Sequence, residues 1–299
     1  NATTNTELAA LAEAMEGAEG TPTNPFDVST AVYSKSFSVA GEDTQPQDLT
    51  FNTDGTKMFV AGGVGDDINE YSLSTGFDVS TASFTHSFSV ASQQAPATGV
   101  TFNNNGTKMF IVGDTSDNVN EYTLTTGFDV STASYSQNFS VSAQEAAPEG
   151  IGFNTDGTKM FIVGRVGDAV YEYALSTGFD ISTASFTDSF SVAGQDINPH
   201  GIAFSTDGTK MFISGLSGSD INEYTLSTGF DISTASFVDS FSVAAQDGSP
   251  YGVAFNTNGT KMFVAGVGTG SVYQYTVGTA DYTNQMDKTQ LDAVTDPNH

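Results

Sequence analysis

The chain has 299 residues, a formal net charge of −27 and no cysteine. This charge disfavours nucleic acids and anionic membranes as partners, because phosphate groups are bound by basic surfaces. The lack of cysteine excludes disulfides and thiolate metal sites. No apolar run approaches the roughly 20 residues of a membrane span.

The first predicted element is an amphipathic helix near the N-terminus. A capping-box pattern opens it, and Leu8, Leu11 and Met15 recur at helical spacing. A short helix with such a thin apolar stripe is only marginally stable alone. We therefore expect these three residues to serve assembly, by docking on the rest of the protein, on a second copy or on another protein. Residues 1–25 are predicted to be this helix and a linker.

A 51-residue repeat occupies most of the remaining chain. The six residues Asp54–Phe59 (DGTKMF) return four times as DGTKMF or NGTKMF, each copy 51 residues after the last. One unit, Gln47–Val90, has the pattern of four short strands, and its Asp-Gly pair is a hairpin signal. Several units of four short strands are typical of β-propeller blades.

The two ends of the repeat array predict how the ring closes. The segment Val32–Val39 has the pattern of a fourth strand, whereas the last unit, Tyr251–Val277, has only three strands. The early strand can complete the last blade and remove its exposed edge. We therefore predict an all-β, five-bladed β-propeller over residues 26–280, closed by an N-terminal strand and accompanied by the short N-terminal α-helix. Residues 281–299 are predicted to form a polar tail or the start of a further segment. The alternative fold, a solenoid, would need distinct polar caps at its two ends.

The repeat resembles those of known propellers. The run Pro199–Ser214 (PHGIAFSTDGTKMFIS) is similar to YVTN-type repeats, which are related in appearance to NHL-like and lactonase-like propellers. The longer unit, containing DGTKMFV, INEYSLSTGFDVSTASF and SFSV in order, resembles repeats of marine phage virion proteins and extracellular bacterial proteins. This resemblance covers residues 26–280 and implies a propeller on a virion surface or outside the cell. It implies no single function, because propellers serve as hydrolases, lectins and scaffolds.

The five copies differ mainly in two loops. One precedes the first strand of each unit, and the other joins its second and third strands. We expect both on one face of the ring, the top face, opposite the nearly constant hairpin and STGFDVSTA connection. A variable face on a constant scaffold is a candidate recognition surface. Its candidate ligand-binding residues are Gln47, Thr98, Glu149, His200, Tyr251, Asp67, Asp117, Arg165, Asp168 and Asp220.

The sequence gives little support for catalysis or a metal centre. Of the residues expected at the channel, only Asp48, Glu149 and His200 titrate usefully, and separate blades carry them. We therefore expect no metal triad, nucleophile–base pair or cofactor. Acidic top-loop residues offer oxygen atoms of the kind that Ca²⁺ binds, but their spacing is not that of an EF-hand. Arg165 is expected to pair with a ligand carboxylate or with Asp168.

A repeated charged pair is interpreted as structural. Lys57 and Glu70 lie on the second and third predicted strands of one unit, and the pair recurs in the next three units. A cross-strand ion pair at a surface contributes about 0.2–1 kcal/mol. In the last unit Lys261 has Gln274 as its partner.

Together these features favour a non-enzymatic structural or adhesive module of a virion or extracellular assembly. Its expected partners are other structural proteins or copies of itself, bound through the N-terminal helix, with neither nucleic-acid binding nor membrane insertion. Two alternatives stay open. One is a lectin-like propeller that binds a cell-surface glycan. The other is a lactonase- or glycosidase-like hydrolase, which would lose turnover when Glu149 or His200 is changed.

Overall fold

Short antiparallel strands form almost all of the regular structure. A computed structural model describes residues 21–281, with side chains for residues 24–278. The predicted helix with Leu8, Leu11 and Met15, and the tail after residue 281, lie outside this range. Within it, no helix is long and apolar enough to cross a membrane. The strands are β1 Thr21–Thr23, β2 Val32–Ser38, β3 Pro46–Phe51, β4 Lys57–Gly62, β5 Asp67–Leu73, β6 Ala82–Ser89, β7 Gly99–Phe102, β8 Lys108–Val112, β9 Asn118–Leu124, β10 Ala133–Ser140, β11 Pro148–Phe153, β12 Lys159–Gly164, β13 Ala169–Leu175, β14 Ala184–Ser191, β15 Pro199–Phe204, β16 Lys210–Gly215, β17 Asp220–Leu226, β18 Ala235–Ser242, β19 Pro250–Phe255, β20 Lys261–Gly266, β21 Ser271–Thr276 and β22 Thr279–Asp281.

These strands form five four-stranded blades. Blades 1 to 4 contain β3–β6, β7–β10, β11–β14 and β15–β18, and blade 5 contains β19–β21 with β2 as its outer strand. The pairing of β2 with β21 runs from Val32 opposite Thr276 to Ser38 opposite Ser271. The predicted five-bladed propeller closed by an N-terminal strand is therefore confirmed. In addition, β1 pairs antiparallel with β22, which places the two ends of the described chain side by side.

The core lies between neighbouring blades. Each blade buries a methionine and a phenylalanine of its second strand, such as Met58 and Phe59, and a tyrosine of its third strand, such as Tyr71. Phe37 of blade 5 meets Tyr71 of blade 1 edge to face, with ring centroids 5.7 Å apart. Fully burying one large apolar side chain contributes roughly 1.5–3 kcal/mol. The repeated aromatic residues therefore hold the ring together.

The constant segments of the repeat meet on the bottom face. Gly55 adopts φ +72°, and a Cβ there would lie 2.3 Å from the Phe77 ring. The Phe77 amide donates to the Gly55 carbonyl over 3.0 Å, which joins the first hairpin to the connection before the outer strand. Asp78 accepts from the Ser80 amide and caps a short 3-10 turn. Such turns are Val28–Thr30, Val79–Thr81, Val130–Thr132, Ile181–Thr183 and Ile232–Thr234.

The repeated Lys–Glu pair clamps one blade to the next. All four predicted ion pairs are present, with separations of 2.7 to 3.1 Å. In blade 4, Lys210 also donates to the Phe26 carbonyl over 2.8 Å. Glu223 accepts from the Val28 amide over 3.0 Å. Since Phe26 and Val28 precede β2 of blade 5, this pair fastens the ring closure as well as its own hairpin.

Removal of a clamp carboxylate is expected to destabilise the ring. The Glu223 side chain is 3% exposed, so Glu223→Ala leaves the Val28 amide without a buried partner and the Lys210 ammonium with the Phe26 carbonyl alone. We expect the free energy of unfolding to fall by about 3 kcal/mol, measured by urea denaturation. Glu223→Gln is the matched control, because Gln274 of blade 5 accepts from the Val79 amide in the equivalent contact. We expect Glu223→Gln to lower the free energy of unfolding less than Glu223→Ala does. Equal losses in the two variants would contradict a contribution from the hydrogen bond to the Val28 amide.

Candidate functional site

The inner strands come closest at four glycines. A Cβ on Gly150 would lie 2.4 Å from the His200 carbonyl oxygen, and one on Gly201 would lie 2.6 Å from that of Tyr251. The fifth copy of this position is Asp48, whose Cα would be 2.6 Å from a Cβ on Gly252. This glycine layer (Gly99, Gly150, Gly201 and Gly252, with Asp48) lies between a cavity on the top face and a funnel on the bottom face.

The top-face cavity sits directly above the glycine layer and has a volume of about 290 Å³. In every blade, the residue immediately before the glycine layer contributes to it. Six of the ten candidate residues therefore share one cavity, including Arg165 from the loop between β12 and β13. The lining residues are Gln47, Pro96, Thr98, Asp114, Glu149, Arg165, Asn198, His200 and Tyr251.

A charge network crosses this cavity. Arg165 Nε donates to Glu149 Oε1 over 2.5 Å, and its Nη2 donates to Asp114 Oδ2 over 2.6 Å. Hydrogen bonds to Asp114 and then Glu149 raise the pKa of the guanidinium above its ordinary value. The predicted pairing of Arg165 with Asp168 is wrong. The correct partners come from the top loop of blade 2 and from the inner strand of blade 3, which converge on the ring axis.

His200 extends the network into blade 4. Its side chain is 6% exposed, and its Nδ1 lies 3.4 Å from Glu149 Oε2. Its ring packs against that of Tyr251 at a tilt of 37°, with centroids 3.9 Å apart. Both imidazole nitrogens are buried without a hydrogen-bond partner among the described residues. Unpaired buried nitrogens carry a desolvation cost, so they can accept or donate to a ligand in the cavity.

Glu149 and His200 lie close together although separate blades carry them. They are 51 residues apart in sequence, yet each is the second residue of its inner strand, and the two strands are neighbours in a narrow ring. Burial raises the pKa of the adjacent Tyr251 phenol, and the Glu149 carboxylate adds to the rise. The cavity thus joins a carboxylate, an imidazole, a phenol and a guanidinium.

The other four candidate residues lie at the end of the loop between the second and third strands or at the start of the third strand, and they do not line the cavity. Asp117 and Asp168 have φ of 50° and 48° and form the left-handed position of the turn. Asp67 and Asp220 accept hydrogen bonds from Asn69 and Asn222 over 2.7 and 2.8 Å. Residues 21–281 contain no group of three or more His, Cys, Asp or Glu side chains arranged to hold a metal ion.

Sequence reasoning did not single out the residues that hold the top loops. Asp196 Oδ2 accepts from the Gly218 amide over 2.7 Å, and its Oδ1 accepts from the Asn198 amide over 2.7 Å. This carboxylate thereby ties the loop that carries Asn198 and His200 to the neighbouring loop. The sequence feature that identifies these residues is an Asp, Glu or Gln that recurs every 51 residues inside otherwise variable loops. These buried residues are Asp43, Gln94, Glu145, Asp196 and Asp247.

No protein-family model and no curated protein matches the chain. Among solved structures, a candidate 6-phosphogluconolactonase from Bacteroides uniformis is 15% identical with a TM-score of 0.49, over 74% of this chain and 63% of that one. One from Bacteroides fragilis is 16% identical with a TM-score of 0.47 and the same coverage. The β-propeller domain of Myceliophteria thermophila Cps50 (Swd1) is 8% identical with a TM-score of 0.49, over 83% of this chain and 99% of the domain. The chain thus spans less than two thirds of either bacterial protein, and these likenesses concern the β-propeller fold alone.

Proposed function

We propose that the protein is a non-enzymatic recognition module of an extracellular or virion assembly, and that its top-face cavity binds a single sugar residue of a glycan. The observation that carries the proposal is the set of five equivalent positions at the cavity. All five blades supply the same position, and the five side chains differ: Gln47, Thr98, Glu149, His200 and Tyr251. A scaffold repeated almost unchanged thus presents one asymmetric group of polar side chains, as specific recognition requires.

The position of the cavity suits display. The loops around it lie on the top face, where the Gly63 amide donates to the Gln45 carbonyl over 2.9 Å. Both ends of the described chain lie on the bottom face, where the Gly278 amide donates to Thr30 Oγ1 over 2.7 Å. A propeller attached to its assembly through either end would direct the cavity outwards. We therefore place attachment at the bottom face and recognition at the top face.

The chemistry of the cavity favours a neutral, polyhydroxylated ligand. Arg165 pairs with the carboxylates of both Asp114 and Glu149, so none of these three charged groups is free to bind an ion. The adjacent rings of His200 and Tyr251 offer an apolar surface beside hydrogen-bonding groups. A volume of about 290 Å³ lies at the small end of the usual range of ligand sites, roughly 300–1,000 Å³. Such a space suits one sugar ring.

Single substitutions taken from other blades test the proposal. A glycan array identifies the sugar, and calorimetry then compares the wild type with Glu149→Gln, His200→Thr and Arg165→Leu. These variants carry the residues that blades 1, 2 and 4 have at the same repeat positions, namely Gln47, Thr98 and Leu216, so the ring should fold. We expect each to weaken binding at least about tenfold, since each removes a charged or hydrogen-bonding group from the cavity.

Asp220→Asn is the control for this series. Asp220 lies outside the cavity, and blade 2 has Asn118 at its position, so the affinity should stay within about twofold of the wild-type value. The proposal fails if the folded wild type binds no glycan. It also fails if the cavity variants bind as tightly as Asp220→Asn.

A hydrolase is the second candidate, favoured by the Glu149–His200 contact. A carboxylate 3.4 Å from the imidazole Nδ1 would orient this ring, so that Nε2 could accept a proton from water. A hydrolase of this kind would release product from a lactone or glycoside substrate, and His200→Thr would abolish turnover. The recognition module instead releases the sugar unchanged, as mass spectrometry of the recovered ligand would show.

A further inference from the structure

A second cavity opens on the bottom face, on the other side of the glycine layer. This bottom funnel has a volume of about 300 Å³, and Asp48 lies at its inner end. The next inward-pointing position is Thr50 and Thr101 in blades 1 and 2, whereas it is Gly152, Ala203 and Ala254 in blades 3 to 5. At this depth of the funnel, the polar side chains are therefore gathered on one side, beside the carboxylate.

The Asp48 carboxylate is the only charged group in the funnel lining among the described residues. The residue is 6% exposed, and its Oδ2 accepts from the Val100 amide over 2.8 Å. Its Oδ1 points towards Gly252 of the neighbouring blade 5. Burial raises the pKa of this carboxyl to about 7, because no cation compensates for the lost hydration of the ionised form.

The mouth of the funnel is fixed by hydrogen bonds between blades. Asn104 Nδ2 donates to the Thr155 carbonyl over 2.8 Å, and Thr206 Oγ1 donates to the Thr257 carbonyl over 2.8 Å. Partly buried phenylalanines, including Phe102 and Phe153, form the wall between mouth and carboxylate. The funnel is thus a preformed site with a polar rim, an apolar wall and a carboxylate at its closed end.

We propose that the bottom funnel binds a primary ammonium group carried on an aliphatic chain. The ammonium donates to Asp48 and to the hydroxyls of Thr50 and Thr101, and the chain lies against the phenylalanine wall. The ammonium supplies the positive charge that the buried carboxylate lacks. The net charge of −27 raises the local concentration of cations. A free alkylamine and a lysine side chain of another protein share this chemistry.

Asp48→Gly is a matched variant for the test, because the other four blades have glycine at this position. Calorimetry above neutral pH compares the binding of n-butylammonium to the wild type, Asp48→Gly and Asp48→Asn. We expect saturable binding to the wild type and at least a tenfold loss in both variants. The neutral analogue n-butanol should bind at least tenfold more weakly, and Asp220→Asn should bind n-butylammonium like the wild type.

A lysine-containing peptide and its Nε-acetylated form then distinguish the two sources of the ammonium. Binding of the unmodified peptide alone identifies a protein side chain as an acceptable ligand, whereas binding of n-butylammonium but of neither peptide restricts the site to free amines. Both results support the ammonium site. Equal binding of n-butylammonium to the wild type and Asp48→Gly would overturn it, as would the absence of saturable binding to folded wild-type protein.

Discussion

Gly150→Ala is expected to lower the free energy of unfolding by about 3 kcal/mol. The added Cβ would lie 2.4 Å from the His200 carbonyl oxygen and 2.8 Å from Val163 Cγ1. The first of these atoms belongs to the backbone of the next blade, so the inner strands must separate to admit the methyl group. Urea denaturation followed by circular dichroism measures the loss.

Gly152→Ala is the control on the same strand. Its Cβ would meet nothing closer than 3.8 Å, and blades 4 and 5 already have Ala203 and Ala254 at this position. We expect a change within about 0.5 kcal/mol. If the two substitutions cost the same, the glycine layer does not set the spacing of the inner strands.

Asp48→Asn is expected to stabilise the protein at neutral and higher pH. Burial raises the pKa of Asp48 from its ordinary value of 3.8 to about 7. The protonated carboxyl therefore contributes stability that is fully present below the unfolded pKa and is lost as the pH rises through the folded pKa. Asparagine does not titrate, so it avoids this loss.

The measurable quantity is the stability difference between Asp48→Asn and the wild type. We expect it to grow by up to roughly 4 kcal/mol between about pH 4 and about pH 8, since each pKa unit corresponds to about 1.36 kcal/mol. Urea denaturation of both proteins at several pH values gives the difference, and the other carboxylates cancel in it. A difference that stays constant over this range would mean that Asp48 titrates normally.

The sequence was sufficient for the fold because the repeat fixes both strand order and closure. The surplus strand that begins at Val32 and the missing strand after Thr276 are a matching pair, and β2 occupies the predicted place. The contacts that the repeated Lys–Glu pair makes with the next blade could not be predicted in the same way. The contact of Lys210 with the Phe26 carbonyl depends on how neighbouring blades tilt, which no spacing within one unit specifies.

The site was predictable in part for the same reason. Equivalent repeat positions must meet at the axis, so the sequence predicts that the five residues immediately before the glycine layer lie close together, as they do. The network among Asp114, Glu149 and Arg165 depends on the narrow radius of the ring and on the loop path, which sequence periodicity does not give. The sequence predicts Asp117 and Asp168 as ligand-binding residues, but both occupy turn positions with positive φ. Sequence alone does not distinguish an aspartate that forms a turn from one that binds a ligand.

The proposed function depends most on the binding of a sugar in the top-face cavity. The most direct test is a nuclear magnetic resonance titration of the isotope-labelled protein with a panel of monosaccharides, because it reports both binding and its location. We predict saturable shifts of backbone amides at Thr98, Arg165 and His200 with one class of sugar, and unchanged amides on the outer strands. Shifts confined to the outer strands, or no shift with any sugar, would contradict the proposed function.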